Sequence, residues 1–487
     1  MGMLLSVLNG VLALLLSGAA LTPQQLLGSA SPDHSNGTQI WRDSFLRNHY
    51  IEVKKCGLCD GADLWSGYYH SVPENISIFF VYARASEAPE TSPLALWTNG
   101  GPGTSGLGVA FSSATGCTLQ DDARGMKLVY NPKVKRWNEK VNVIFLDQPI
   151  GTGFSRGTGR GEQDTRVGAE YIYNFIQVVL SRHPTIPEVS LHSLSYGGHF
   201  VSEWAHKIVS ENPRAQEGIT NNHIIPLKSV SMGNAWFGAD EQYLERFDSL
   251  CELHPYLAGS TAPILSSSEC QRAATHRATC ADLLTECRNH SAKTCAGAHL
   301  WCLTATGYYI GQTGRSMYDL SSFSDNPDAY DTYPVLNRYL NQRAVQVALG
   351  VIGPDDKHPV EWLFYNTRVS ALHTLAGDHV RRTDTLLPAI VAAGVNILIY
   401  QGTTDYIVGY QGVRGMLESL NMVQGQVANE LKVWENGAGR YLCSTNPKIP
   451  AAGRFCYLEI DGVGHGVAYD YEGWPLILEK WLLQGSV

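Results

Sequence analysis

Three residues of this chain have the types and surroundings to act together on a carbonyl group: Ser195, Asp405 and His465. A serine hydroxyl is a weak nucleophile until a histidine takes its proton, and an acid beside that histidine fixes its tautomer and stabilises the imidazolium. The three stand in the order nucleophile, acid, histidine, each on a loop after an apolar run that reads as a strand. Val189 and Leu191 alternate as in a strand, whereas Phe200, Trp204, Ala205 and Ile208 recur at helical spacing, so Ser195 sits at a sharp strand-to-helix turn, a nucleophile elbow. Such an elbow needs small residues two positions to either side, which Ser193 and Gly197 supply, although the usual first glycine is missing. Singly, these residues read as a Gly-rich turn, a turn aspartate and a surface histidine. Jointly, their order and loop context predict a serine-centred acyl transfer, with Asp405 and His465 on exposed loops.

The negative charge that develops on the substrate oxygen needs backbone donors. Pro93-Leu-Ala-Leu-Trp97 runs into Thr98-Asn-Gly-Gly-Pro-Gly-Thr-Ser-Gly106, a loop whose glycines leave N–H groups open, and Gly101 N–H with Tyr196 N–H form the expected oxyanion pair. The loop lacks the Lys-Ser/Thr of a phosphate-binding turn, and Pro102 breaks a dinucleotide fingerprint. His192 and His199 flank the nucleophile but are read as hydrogen-bonded or solvated, not catalytic.

The elements around these loops alternate. Gly67 to His70 and Ile78 to Ala83 read as paired antiparallel strands. Val141 to Leu146 and Val395 to Tyr400 are further apolar strands, and Gly168 to Leu180 is an amphipathic helix, so an α/β class with a mostly parallel central sheet is predicted. In such sheets ligands react beyond the carboxyl ends of the strands. The alternation stops over residues 212–332, where Cys251, Cys270, Cys280, Cys287, Cys295 and Cys302 cluster, which predicts a disulfide-stapled insertion of undecided connectivity between core segments 49–211 and 333–487. Zinc is the weaker use of these cysteines, because no paired Cys-x-x-Cys spacing or clustered histidine accompanies them, and no metal or other cofactor is predicted.

The 487 residues carry a net charge of −9 with 44% hydrophobic and 17% charged residues, a globular composition that argues against a nucleic-acid partner. Met3 to Leu16 is apolar and too short to span a bilayer, and Gly18-Ala-Ala20 offers a cleavage site, so residues 1–20 read as a secretory signal and no membrane association is expected. Residues 21–48 are polar and unpatterned and read as a flexible leader or propeptide. Eleven cysteines and acceptor sequons at Asn36, Asn75 and Asn289 point to an oxidising, secreted or vacuolar setting. Cys56 and Cys59 read as structural, Cys443 and Cys456 as a pair across a loop, and the odd total leaves one thiol over, with Cys117 the candidate. The sequence does not give an oligomeric state.

Trp97-Thr-Asn-Gly-Gly-Pro-Gly, Tyr130-Asn-Pro, Arg136-Trp-Asn, Leu146-Asp-Gln-Pro-Ile-Gly-Thr-Gly-Phe-Ser155, Ser195-Tyr-Gly-Gly-His, Tyr339-Leu-Asn-Gln and Gly464-His465 together resemble the serine carboxypeptidase family, from about Gly67 to Leu483 and most closely its fungal branch. The resemblance implies an α/β-hydrolase fold with a helical cap, and a secreted or vacuolar serine hydrolase that releases C-terminal residues from peptides. It also implies that Ser195, Asp405 and His465 are the triad, Gly101 and Tyr196 the oxyanion donors, and Asn99 and Gly100 the holders of the substrate's terminal carboxylate. The chain departs from that pattern where the family has a glutamate before the serine, here Leu194, and a second glutamate near Ser113 or Ala114. Thr403 and Gly466 replace a family aspartate and methionine. These departures bring in an alternative of the same fold, an acyltransferase or esterase acting on a small non-peptide ester.

Overall fold

Apolar, β-branched and aromatic runs build a single large mixed sheet. The computed structural model describes residues 37–122, 125–158, 163–288, 291–323, 332–423, 426–434, 437–445, 453–470 and 473–484. Its strands are β1 (Gln39–Arg42), β2 (His49–Lys55), β3 (Leu64–Ser71), β4 (Ile76–Ala83), β5 (Leu94–Thr98), β6 (Cys117–Asp122), β7 (Gly125–Tyr130), β8 (Asn142–Leu146), β9 (Arg156–Gly157), β10 (Val189–Leu194), β11 (Leu227–Gly233), β12 (Asn396–Gly402), β13 (Lys432–Trp434), β14 (Gly439–Thr445) and β15 (Arg454–Ile460). The sheet order is β1-β2-β3-β4-β8-β5-β10-β11-β12-β15-β14-β13, with β9 beside β4, while β6 and β7 form a separate hairpin. The centre from β8 to β15 is parallel. Both flanks are antiparallel, so the sheet is more mixed than the alternation predicts.

Every residue of β5, β8 and β10 is buried, as expected of parallel strands covered on both faces. One face packs under helices α1 (Thr165–Arg182) and α2 (Gly197–Gln216), through Phe175, Ile176, Phe200, Trp204 and Ile208. The other packs under a C-terminal helix spanning Trp474–Gln484, through Ile477, Leu478 and Trp481. At about 1.5–3 kcal/mol per fully buried large apolar side chain, these two layers hold the strand ends in place.

Three expectations need correction. The polar composition of residues 21–48 predicts no structure, yet Gln39–Arg42 form β1, because Trp41 buries edge-on against Tyr82 and His183. The cysteine-rich span 212–332 reads as insertion throughout, yet its early part returns to the sheet centre as β11 between β10 and β12. The serines that break its apolar run are buried, and Ser231 Oγ is bonded to the ring of His192. The cap proper begins with α3 (Ala239–Asp248) and continues through α4 (Ser267–Arg288) and α5 (Ala292–Thr313). Third, Cys117 is not the spare thiol: it pairs with Cys59 and ties the loop after β2 to the β6-β7 hairpin, which leaves Cys56 unpaired and buried.

The cap disulfides are Cys251–Cys270, Cys280–Cys302 and Cys287–Cys295, and none of these cysteines is free to hold zinc. Cys443 and Cys456 pair across β14 and β15, where they stand in register. Among the described residues no helix is long and apolar enough to cross a membrane. Asn75 lies on the exposed β3-β4 turn, whereas Asn36, Asn289 and residues 1–20 lie outside the described residues.

Candidate active site

The parallel order β5-β10-β11-β12-β15 brings five loops to one edge of the sheet, past the strands' carboxyl ends. Ser195 follows β10 with φ of +61°, a left-handed conformation that a serine adopts only under constraint. The constraint is visible. Its N–H donates to Gly233 O of β11 at 2.9 Å, and its own carbonyl accepts from Gly198 N and Trp236 N at 2.9 Å each. A Cβ at Gly197 would lie 2.5 Å from Ser193 Cβ, so only a glycine there lets the turn close over the small residue two places before the nucleophile.

Asp405 follows β12 and His465 follows β15. His465 Nδ1 is 2.7 Å from Asp405 Oδ2, a contact that orients the imidazole. The same oxygen accepts from Asn234 Nδ2 at 2.8 Å, and Oδ1 accepts from Val408 N at 3.1 Å. Both residues are 7% exposed or less, so neither sits on an exposed loop as the sequence suggests. The cause is a strap, Met317 to Leu320, that returns from the cap across both loops. His465 N donates to Tyr318 O, Ile407 N to Met317 O, and Leu320 N to Thr404 O. The Tyr318 ring lies 5.5 Å from that of His465. A Cβ at Gly464 would fall 2.5 Å from Tyr318 O, which is why a glycine precedes the histidine.

Asn234 is the residue that sequence reasoning misses. It follows β11 at φ +40° and bridges Asp405 to Gly464 O, holding the acid loop to the histidine loop. The available signal is Met232-Gly-Asn234, a turn pair after an alternating run, but it falls inside the span read as insertion.

Gly100 packs so closely on the elbow that a Cβ would lie 2.4 Å from Tyr196 N and 2.7 Å from Ser195 Cβ. Gly101 has φ of +108° and, like Ser195 and Tyr196, lines the cavity. Asn99 is buried and its Nδ2 donates to Ser105 O at 2.6 Å, which closes the glycine loop on itself. A second brace comes from Asp147, which accepts from Ser105 Oγ and from Phe154 N. Burial pushes the Asp147 carboxyl up to about 7. Gln148 Nε2 adds a bond to Thr98 Oγ1 at 2.6 Å. The loop that carries Asn99, Gly100 and Gly101 is therefore rigid before any ligand arrives.

The cavity beside Ser195 is open to solvent and has a wall built from both the sheet loops and the cap, including Trp236, Tyr243, Arg246, His299 and Ile407. Tyr196 anchors its floor, with its O–H donating to Asp378 at 2.6 Å, and Asp378 pairs with Arg381 at 2.8 Å. His192 and His199 are buried behind the turn, bonded to Ser190 and Ser231 and to Trp236 O respectively. His192 is pushed down to about 3 by burial, which keeps the ring neutral. Leu194 is buried among apolar side chains of the sheet's second face.

Comparison with known proteins matches these loops to one family. The family model for serine carboxypeptidases, Peptidase_S10, matches residues 60–485. Carboxypeptidase Y of Schizosaccharomyces pombe is 32% identical over 468 residues, covering 92% of this chain and 44% of that relative, so this chain spans less than half of its length. Carboxypeptidase Y homolog A of Leptosphaeria maculans is 27% identical, covering 90% of this chain and 78% of its own. A solved prohormone-processing carboxypeptidase from Saccharomyces cerevisiae superposes with a TM-score of 0.61 at 17% identity, covering 95% of this chain and 96% of its own. At that identity the likeness shows the fold, an α/β-hydrolase sheet with a cap.

Proposed function

The chain belongs to the serine carboxypeptidase family, and on that premise we propose that it hydrolyses C-terminal peptide bonds through an acyl-enzyme on Ser195. His465 takes the Ser195 proton as the hydroxyl attacks and returns it to the leaving amine. Asp405 holds the Nδ1–H of that ring and balances its charge. Gly101 N–H and Tyr196 N–H bind the oxyanion, and Asn99 with Gly100 faces the free carboxylate of the departing residue. Water then releases the acyl group by the same route reversed. The observation that carries this reading is the 2.7 Å contact of His465 Nδ1 with Asp405 on the sheet edge that also presents Ser195 in its constrained turn.

A second reading is favoured by one observation: the residue before the nucleophile is Leu194, buried and apolar, where the family resemblance implies a proton-sharing glutamate. A hydrogen bond to a charged group is worth about 1.5–3 kcal/mol, so losing the family's carboxylate partners weakens selection for a free C-terminus and admits acyl esters. One blocked peptide offered as free acid, amide and methyl ester separates the two. A preference for the free acid supports the carboxypeptidase; equal or faster turnover of the ester supports the esterase or acyltransferase. Labelling by a phosphonate probe that vanishes in Ser195→Ala is the common requirement. A secreted or vacuolar location is supported by the disulfides and by the exposed sequon at Asn75.

A further inference from the structure

Arg246, on α3 of the cap, is 4% exposed and lines the same cavity as Ser195. Its guanidinium lies 4.7 Å from the Trp236 ring and 4.8 Å from the Tyr243 ring. Nε and Nη2 both donate to one carbonyl, Ile407 O, two residues beyond Asp405. An arginine has five N–H donors, so this leaves most of its capacity unused.

Among the described residues no carboxylate forms an ion pair with Arg246. The contrast within the molecule is direct: Arg381, Arg382 and Arg414 are each paired with a buried carboxylate, Asp378, Asp384 and Glu459. The sequence neighbour Glu245 does not serve. Its carboxyl packs against Gly409, its Oε2 has no hydrogen-bond partner, and burial pushes it well above its ordinary value, toward the neutral acid, with the Arg246 charge only partly opposing that. A buried cation without a counter-charge is costly, and an anion delivered by the ligand offsets that cost. The wall beside it also has polar capacity to spare. His299 and His379, with rings 4.1 Å apart, leave Nε2 and Nδ1 without a partner among the described residues.

We infer that this cavity takes an acyl group bearing a carboxylate, an acidic side chain on the residue whose carbonyl Ser195 attacks, with Arg246 as its counter-ion. The inference rests on the reading of Ser195 given above. The acyl side is indicated because Ser195, Tyr196, Ile407 and Val408 line the cavity whereas Asn99 and Gly100, which that reading gives to the leaving group, do not.

The test uses two peptidyl phosphonates that differ only in the side chain delivered next to phosphorus, glutamate-like carboxylate against glutamine-like amide. On the wild type the carboxylate probe labels faster by roughly 10-fold or more, the scale of a hydrogen bond to a charged group. Arg246→Gln brings the ratio to one or below, and Arg246→Lys, which keeps a cation, retains part of it. The ratio is taken on one preparation, so a partly folded variant does not distort it. Competition between matched peptide substrates on the wild type gives the same ratio without any variant. Equal labelling of the wild type by both probes overturns the inference and leaves Ser195 as the nucleophile. A ratio that survives in Arg246→Gln also overturns it, because another group then holds the carboxylate. No labelling by either probe removes the Ser195 reading and the inference with it.

Discussion

The parallel centre of the sheet and the cap wall the same cavity, but they are held by opposite means. In β5, β8 and β10 every residue is buried, and each strand is bonded on both sides. In α4, by contrast, only Ala273, Cys280, Leu284 and Cys287 of its 22 residues are buried, and two of those four are half-cystines. α5 buries more, including Tyr309 and Ile310, but also small and polar residues such as Ala296, His299 and Thr306 beside Cys302. α4 therefore removes little apolar area from water, and the disulfides add covalent links to the packing of the two helices. The sheet supplies chemistry that must not move. The cap supplies shape, and it touches the chemistry through the Met317–Leu320 strap and through Arg246.

That division predicts that changes in the two regions fail in different ways, and the largest effect belongs to the sheet edge. Ser195→Ala or His465→Ala should cut kcat/KM on the order of 10⁴-fold or more, and Asp405→Asn by a similar factor, because the members act as a unit. The melting temperature should stay within a few degrees, since no core side chain is removed. A His465→Ala protein with near-wild-type turnover would break the triad assignment.

The next effect belongs to the cap. Replacing both Cys280 and Cys302 with alanine opens a loop of 22 residues' separation and should cost about 2–4 kcal/mol of cap stability. Because the cap walls the cavity, KM should rise before kcat falls. Hydrogen exchange should speed up in α4 and α5 and stay unchanged in β10 to β12. Equal loss of protection in both regions would show that they fold as one unit and would break the comparison.

The elbow, the acid loop and the histidine loop are legible because each follows an apolar run, and because Gly197 lies too close to Ser193 for any larger residue there. β11 was not legible. It falls in the span read as insertion, where serines break its apolar run, and Ser231 is bonded to His192, a partner from the neighbouring strand that no local pattern reveals. The strap and Arg246 were hidden for the same reason: both act between segments far apart in sequence. The disulfide partners follow from register and helix facing, which spacing does not encode, so no local pattern shows that Cys117 pairs with Cys59.

A third test places a charge in the sheet. Leu194→Glu puts a carboxyl among apolar side chains, where burial favours its neutral form. As an acid it can share its proton with a substrate carboxylate; once ionised it repels it. The free-acid-over-amide ratio should therefore rise by about 10-fold, or about 1.5 kcal/mol, at low pH and fall as pH rises, whereas the wild type shows a weaker and flatter ratio. A wild type that is already strictly carboxylate-dependent would show that other groups do this work.

A fourth test compares one group in both regions. His192 in β10 and His299 in α5 are each held down to about 3, His192 by burial and His299 by burial and then by Arg246, against 6.5 in the unfolded chain. Between those values the unfolded chain binds more protons, so each histidine contributes nothing above 6.5 and removes stability as pH falls toward 3. The loss is about 1.4 kcal/mol for each pH unit below 6.5. Asp147, raised to about 7 from 3.8, acts in the opposite sense and removes stability as pH rises through that window. His192→Asn should therefore flatten the acid side of the melting profile for the whole sheet, while His299→Asn should flatten it only for probes on the cap. A global effect from His299→Asn would mean that the cap does not open on its own.

The smallest effect is expected where the comparison is sharpest, at the unpaired Cys56. All six cap cysteines are cross-linked, in a region where α4 buries few residues, whereas Cys56, beside β2, is buried in the sheet's second core cluster and has no disulfide partner. Burial pushes its thiol up to about 11, with Ser66 and nearby backbone groups only partly opposing that. At pH 8 about one molecule in a thousand then carries the thiolate, the form that reacts with alkylating and disulfide reagents. The native, unreduced protein should show no rapidly labelled thiol and should gain one on unfolding. After mild reduction, cap cysteines should label first and Cys56 last. Cys56→Ala should leave turnover unchanged within error. Rapid stoichiometric labelling of Cys56 in the folded protein would show that the sheet side opens as readily as the cap, and that burial does not replace cross-links there.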